Sequence, residues 1–104
     1  MTPVELDIVR HAIRNKTCLS AKYHGFMREF CPHSLGHASD GKYHLLGFQF
    51  GGGSRSGLSK GGDWRCMEVS ALTQVCPISG DWHTGHGHSR PNSCVTRIEL
   101  EVSH

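Results

Sequence analysis

Residues 43–50 read Tyr43-His44-Leu45-Leu46-Gly47-Phe48-Gln49-Phe50, and the chain organises around this stretch. It is apolar almost throughout, which is typical of a strand covered by other elements on both faces. The preceding Ser39-Asp40-Gly41-Lys42 contains an Asp-Gly pair, a strong signal for a hairpin turn. We therefore predict that residues 43–50 form a central strand, paired with the segment before the turn.

Short segments on either side of this strand alternate apolar and polar residues with the period of two that β-strands have. Four further strands are predicted, at residues 18–23, 26–31, 64–69 and 95–102. We expect Pro32 to end the pairing of the second of them, because proline has no backbone N–H to donate. Residues 70–75 read as a short turn or helical piece. In the last strand, Ile98, Leu100 and Val102 are expected to face the core.

A helix precedes the first strand. Thr2-Pro3-Val4-Glu5 combines a Thr N-cap, a Pro at the first helical position and a Glu three residues after the Thr, which together indicate a helix start. Leu6, Val9 and Ile13 recur with helical spacing and form an apolar stripe. Asn15 tolerates the left-handed conformation that ends many helices, so we predict a helix over residues 3–14 with Asn15 as its stop.

One helix followed by about five strands with short connections predicts an α+β fold. The helix would pack its apolar face on an antiparallel sheet that is strongly bent or that closes into a small barrel. The length of 104 residues fits a single domain over residues 1–104, and a chain of this size buries roughly two thirds of its unfolded surface.

Composition limits the function classes. The net charge of +2 and the pI of about 8.4 are mildly basic and fall short of the footprint of a dedicated nucleic-acid-binding domain. The sequence has no apolar run of the ~18–20 residues that a membrane span needs. It also has no signal-peptide core at its N-terminus, so we expect a cytoplasmic protein without a membrane partner.

Five cysteines stand at positions 18, 31, 66, 76 and 94, and none of them forms a Cys-x-x-Cys pair. In a cytoplasmic chain we expect them to be thiols rather than disulfides. Because cysteine packs as a small apolar residue, Cys18, Cys66 and Cys76 are expected to be buried side chains rather than metal ligands.

Several segments follow one another in the order of a known bacterial family. They are His11-Ala12-Ile13, Leu19-Ser20-Ala21-Lys22-Tyr23, Arg28-Glu29-Phe30-Cys31-Pro32, Gly41-Lys42-Tyr43-His44-Leu45 and Arg65-Cys66-Met67-Glu68-Val69. In this order they resemble the WYL domain of bacterial ligand-sensing regulators, over residues 9–75. The signature triplet of that family stands here as Tyr43-His44-Leu45. This sequence contains no DNA-binding helix-turn-helix of the kind that usually precedes a WYL domain.

The resemblance implies a barrel of the Sm-like or Src-homology-3-like type. Such a domain senses a ligand, often a nucleotide or nucleic acid, through basic and aromatic residues. By position, Arg28 and Arg65 would contact the ligand, and Tyr23 and Tyr43 would line or support the site.

Other residues suggest an anionic ligand without the resemblance. The glycine-rich segment 51–62 brings backbone N–H groups beside Arg55, which suits a phosphate, although the P-loop and nucleophile-elbow patterns are absent. Trp82, next to His83 in a predicted loop, can stack on a base. Our first hypothesis is a small binding module for an anionic ligand such as a nucleotide or nucleic acid. Its ligand-binding residues would be Arg28, Arg65, Arg55, Tyr43 and Trp82.

The alternative is a metal-binding protein of the zinc type or a small metalloenzyme. Its ligands would be His83, His86, His88 and Cys94. Imidazole nitrogens and a thiolate are the usual donors of tetrahedral zinc, and the glycines between these histidines would let the backbone bring them together. Cys31, His33 and His37 would join this site or form a second one.

Neither hypothesis requires catalysis. Cys31 and Cys94 would each need a histidine as base to act as a nucleophile, and no spacing in the sequence indicates such a pair. We therefore expect a binding protein rather than an enzyme. A third reading is a partner-binding scaffold with neither ligand nor metal, and a homo-oligomer is compatible with all three. The first two hypotheses both require the fold to bring guanidinium and imidazole groups to one concave face.

Overall fold

The computed structural model describes residues 3–53, 62–80, 82 and 95–102. One helix, α1 (Pro3–Asn15), packs against a six-stranded antiparallel sheet, which confirms the predicted α+β fold. The strands are β1 (Cys18–Tyr23), β2 (Phe26–His37), β3 (Tyr43–Gly52), β4 (Asp63–Glu68), β5 (Thr73–Ile78) and β6 (Arg97–Glu101). A 3₁₀ turn (Val69–Ala71) separates β4 from β5. No helix in these ranges has the length and the apolar run that crossing a bilayer requires.

The sheet is strongly bent. Its strand order is β4-β3-β2-β1-β5, with β6 paired to the C-terminal part of β2. The edge strands β4 and β5 are joined by little more than the 3₁₀ turn, so the opposite edges of the sheet must approach each other. The hydroxyl of Tyr23 on β1 indeed accepts a hydrogen bond from the backbone N–H of Glu68 on β4 (3.1 Å), across the width of two strands. Over the residues described, however, the sheet does not close into a barrel.

The main core lies between α1 and the concave face of the sheet. The predicted stripe of α1 is buried there, because its residues recur every three or four positions on one side of the helix. The helix contributes Leu6, Val9, Ala12 and Ile13, and the sheet contributes Leu19, Ala21, Phe30, Leu35, Leu45 and Met67. The predicted central strand is also confirmed, since β3 lies between β2 and β4.

β2 is longer than predicted, and the expectation that Pro32 ends its pairing is wrong. Pro32 pairs with Gly47 and Ser34 with Leu46, so the intervening His33 is the extra residue of a β-bulge. A bulge locally interrupts the hydrogen-bond ladder and therefore tolerates a residue without an N–H. The strand continues past the bulge to His37 and pairs with β6 there.

Three further expectations need correction. A turn or helical piece was expected over residues 70–75, but the 3₁₀ turn ends at Ala71 and residues 73–78 form β5. Among the described strands β5 pairs with β1 alone, and it buries little, so its sequence lacks the apolar alternation of a core strand. Ile98 is 54% exposed rather than buried, whereas Val102 is buried as expected. The helix stops at Asn15, and Lys16 rather than Asn15 has the positive φ of 49°.

The cysteines also differ from expectation. Cys18 is buried, but Cys66 and Cys76 are exposed. Cys66 is disulfide-bonded, so the expectation that the cysteines are all thiols is wrong at this position.

Candidate ligand-binding site

Two of the predicted ligand-binding residues, Arg28 on β2 and Arg65 on β4, share the concave face. Arg28 pairs with Ala21, and Arg65 lies two residues before Met67. Directly opposed residues, and residues two apart on a strand, point to the same side of a sheet. Since Ala21 and Met67 both belong to the main core, the two guanidinium groups lie along its margin.

Arg28 is buried, with 6% of its surface exposed, and its contacts are made with Tyr23. Its Nε donates to the backbone oxygen of Tyr23 (3.3 Å), and its guanidinium carbon lies 5.0 Å from the centre of the Tyr23 ring. The hydrogen bond from the Glu68 backbone to the Tyr23 hydroxyl fixes that ring in turn. The guanidinium is therefore held in one place by an aromatic face and a carbonyl.

The charge of Arg28 has no counter-charge on the described part of the chain. Among the described residues no carboxylate forms an ion pair with it. Burial lowers the pKa of Arg28, and repulsion from Arg65 lowers it further. A buried charge without a counter-charge is costly, so an anion placed between the two arginines would be strongly stabilised.

Gln49 on β3 adds a polar group to the same face. It pairs with the core residue Phe30 and is completely buried. Its Nε2 donates to the backbone oxygens of Gly51 (2.9 Å) and Gly53 (3.1 Å), but its Oε1 accepts no hydrogen bond from any described residue. Sequence reasoning missed Gln49, although a polar residue inside an apolar strand was a signal for it.

Of the other predicted ligand residues, Tyr43 lies far from this place. Tyr43 pairs with His37, nine residues from Arg28 along β2, which corresponds to up to roughly 30 Å of strand. Its hydroxyl donates to Glu99 (2.7 Å), so it serves to join β3 to β6. Trp82 is half-buried and packs against His33, with 4.8 Å between the ring centres. Arg55 lies outside the described residues.

His33 occupies a separate aromatic cluster. Its buried ring packs against Trp64 and Trp82, each with 4.8 Å between ring centres, and its Nδ1 lies 2.7 Å from the backbone oxygen of Cys31. Trp64 precedes Arg65 on β4, so its side chain points to the opposite face of the sheet. The fold therefore does not bring this imidazole to the face that carries the arginines.

The metal-ligand predictions have different outcomes. His83, His86, His88 and Cys94 lie outside the described residues. Cys31, His33 and His37 are described, but their ligand atoms do not converge into a metal-type group. The ring of His37 instead stacks on Tyr43, with 4.1 Å between the ring centres.

Within the described ranges, one group of side chains has the donor set of a metal site: Asp40, His44 and Glu68, whose ligand atoms lie within 4.8 Å of one another. The hairpin turn supplies Asp40, and the pairing of β3 with β4 places His44 opposite Glu68. His44 Nε2 lies 3.2 Å from Asp40 Oδ2, and Lys42 Nζ lies 3.8 Å from Glu68 Oε1. A hydrogen bond from the Lys42 backbone lowers the pKa of Asp40, and one from the Ser70 hydroxyl lowers that of Glu68. No spacing in the sequence indicated this group.

Of the two clusters, the pair of arginines beside Tyr23 is the stronger candidate site, because it contains the buried guanidinium of Arg28, which has no carboxylate partner among the described residues. Comparisons of the chain with protein-family models, with curated proteins and with solved structures find no match.

Proposed function

We propose that this chain is a small binding module for a phosphate-bearing ligand, such as a nucleotide or nucleic acid. The proposal is carried by one observation: two guanidinium groups share the concave face, and the buried one has no carboxylate partner among the described residues. A guanidinium presents a planar fork of N–H donors that matches the oxygens of a phosphate. The WYL-like resemblance, which assigns ligand contacts to Arg28 and Arg65, supports the same residues.

Gln49 favours a nucleotide over a simple inorganic anion. Its buried Oε1 is an acceptor that no described residue satisfies, and it lies on the face that carries the arginines. An unsatisfied buried acceptor costs about 1–3 kcal/mol, which a ligand N–H or O–H would recover. Nucleobases and sugars carry such donors next to a phosphate, so one ligand can satisfy both groups.

The first prediction concerns the arginines. Nucleoside monophosphates, a short single-stranded oligonucleotide and inorganic phosphate are titrated separately by calorimetry. We expect Arg28→Met and Arg65→Met each to weaken nucleotide or oligonucleotide binding about tenfold or more. The reason is that a hydrogen bond to a charged group contributes about 1.5–3 kcal/mol. Methionine removes the charge and keeps an unbranched chain.

Arg14→Met is the matched control, because Arg14 is exposed at the end of α1. It should leave affinity unchanged. Repeating the titrations at about 50 and about 200 mM salt separates phosphate contacts from apolar binding, since only phosphate contacts weaken with salt. Binding that responds neither to salt nor to the Arg28 and Arg65 variants would end the proposal.

Metal binding is the second candidate function, and the group Asp40, His44 and Glu68 is the observation that favours it. Two carboxylates and an imidazole can bind a divalent transition metal, with water completing the coordination. The predicted ligands His83, His86, His88 and Cys94 remain an independent alternative for the same function.

The second prediction separates these two ligand sets. Zn²⁺ titrated into metal-free protein should bind with a stoichiometry that falls by one when His44→Gln is introduced. A triple change of His83, His86 and His88 to Ala is the parallel arm. Loss of the ion only in the triple variant would assign the metal to the histidine-rich segment and exclude Asp40, His44 and Glu68. A wild-type protein that binds no Zn²⁺ would exclude metal binding at both places.

A cytoplasmic location is part of this proposal. The thiols of Cys18, Cys31 and Cys76 fit a reducing compartment, where disulfides are rare. The disulfide bond of Cys66 is the observation against it. Trapping the thiols with an alkylating agent in intact cells, followed by mass spectrometry, tests the location through the redox state of Cys66.

A further inference from the structure

We propose that Cys18 and Cys31 are a dithiol site that converts reversibly into a disulfide joining β1 to β2. The two residues are 13 positions apart in sequence, and their Sγ atoms lie 2.9 Å from each other. This proposal does not depend on the proposed ligand.

The pairing of β1 with β2 brings the two sulfurs together. Leu19 pairs with Phe30, so Cys18 and Cys31 stand one position further along the same antiparallel ladder. Opposed residues in such a ladder have Cα atoms about 4.5–5.5 Å apart, within the range of about 4.4–6.8 Å that disulfides span. A bond of about 2.05 Å therefore needs a sulfur displacement of less than about 1 Å and no change of register.

Burial limits the access of oxidants and other thiols to this pair of cysteines. Cys18 is 2% exposed and Cys31 is completely buried, whereas Cys76 carries an exposed thiol on β5. Because a buried thiol is reached only when the structure opens locally, Cys18 and Cys31 should exchange slowly in the native protein and faster when the hairpin opens. Cys66 is already disulfide-bonded, so this fold is compatible with oxidising conditions.

The chemistry balances with a small disulfide such as oxidised glutathione as the electron acceptor. One cysteine, as thiolate, attacks a glutathione sulfur and displaces the first glutathione thiolate, which takes up the proton that the cysteine lost. The second cysteine, as thiolate, attacks the mixed disulfide and releases the second glutathione. The two protein sulfurs lose two electrons in total, and one glutathione disulfide becomes two glutathione thiols.

The test maps the linkage in the whole wild-type protein. The protein is equilibrated with oxidised glutathione, remaining thiols are alkylated in denaturant, and trypsin is added. Cleavage after Lys16, Lys22, Arg28 and Lys42 isolates Cys18 in residues 17–22 and Cys31 in residues 29–42. We expect these two peptides joined, with a mass two hydrogens below their sum, and separate again after reduction.

A stability measurement gives a second readout. In a Cys66→Ala background, which removes the other disulfide, oxidation should raise Tm by roughly 10 °C or more, because the bond restricts the unfolded chain. Adding Cys18→Ala should abolish this rise, whereas adding Cys76→Ala should not. Recovery of residues 17–22 and 29–42 only as alkylated or glutathione-bound peptides would overturn the proposal, as would a Tm that oxidation leaves unchanged.

Discussion

At the residue scale, Glu99 shows how one side chain joins three elements. Its carboxylate accepts from Arg10 Nε on α1 (2.8 Å) and from the Tyr43 hydroxyl on β3 (2.7 Å). The guanidinium of Arg10 also lies 5.9 Å from the centre of the Tyr43 ring. These contacts hold the helix to the end of the sheet opposite Arg28. They explain why Tyr43 joins α1, β3 and β6 rather than lining the candidate site.

The third prediction is a pH dependence caused by Glu99. Hydrogen bonds from Arg10, and then from Tyr43, lower the pKa of this carboxyl below its usual value in the folded protein. A group whose pKa is lowered on folding contributes stability above its unfolded pKa of about 4.3, and this contribution disappears as the pH falls through the folded value. Glu99→Gln should therefore destabilise the protein at neutral pH, by about 1 kcal/mol or less, because the pair is partly exposed.

Denaturant unfolding of wild type and variant between about pH 2 and pH 7 measures this difference, which should vanish at the acid end. Tyr43→Phe keeps the ring and removes its hydroxyl, so a double-mutant cycle with Glu99→Gln gives the energy of that hydrogen bond. A stability difference that is the same at every pH would show that the Glu99 carboxylate is not the cause.

At the element scale, β2 is the strand on which the sheet is assembled. It pairs with β1, β3 and β6, and the bulge at His33 separates the part that faces β1 from the part that faces β6. The register opposes Gly36 to Ile98. A Cβ on Gly36 would overlap the backbone oxygen of Arg97 and lie 2.8 Å from Val95 Cγ1, so β6 requires glycine at this position.

The fourth prediction is that Gly36→Ala displaces β6. We expect a loss of about 1–3 kcal/mol in the free energy of unfolding, as in other overpacked sites. Hydrogen exchange should locate the effect, because the Val102 amide donates to the His33 oxygen (2.8 Å) and would lose its protection.

Gly25→Ala is the control for that variant. Gly25 has φ of +84° in the β1–β2 turn, and a Cβ there meets no atom within 4 Å. It should cost about 1–2 kcal/mol through the left-handed backbone alone and leave the Val102 amide protected. Equal exchange of that amide in both variants would show that β6 does not depend on Gly36.

At the scale of the whole molecule, the chemically active side chains are divided among several places. Arg28 and Arg65 lie at the margin of the concave face, and His33 lies in an aromatic cluster that includes Trp64 on the other face. His44 stands with Asp40 and Glu68 beside the β2–β3 turn. The expectation of one concave face with both guanidinium and imidazole groups therefore holds only for the guanidinium groups among the described residues.

Local patterns in the sequence were sufficient for α1, the central strand β3 and the turn before it. Helical spacing identified the buried stripe of α1, and the Asp-Gly pair identified the turn where Gly41 has φ of +80°. These signals are readable because they depend on neighbours within a few positions along the chain. β5 was not predicted because an exposed edge strand needs no apolar alternation. The continuation of β2 through Pro32 was not predicted because a β-bulge there compensates for the missing N–H.

The sequence by itself determined the class of fold, the central strand and the apolar face of the helix, since each follows from short-range periodicity. Only the tertiary structure decided that Arg28 and Arg65 approach each other, that Tyr43 binds Glu99 instead of lining a site, and that two cysteine sulfurs meet. The physical reason is that these contacts depend on strand register and on the bend of the sheet. Both are set by the packing of the whole core, which no local segment encodes.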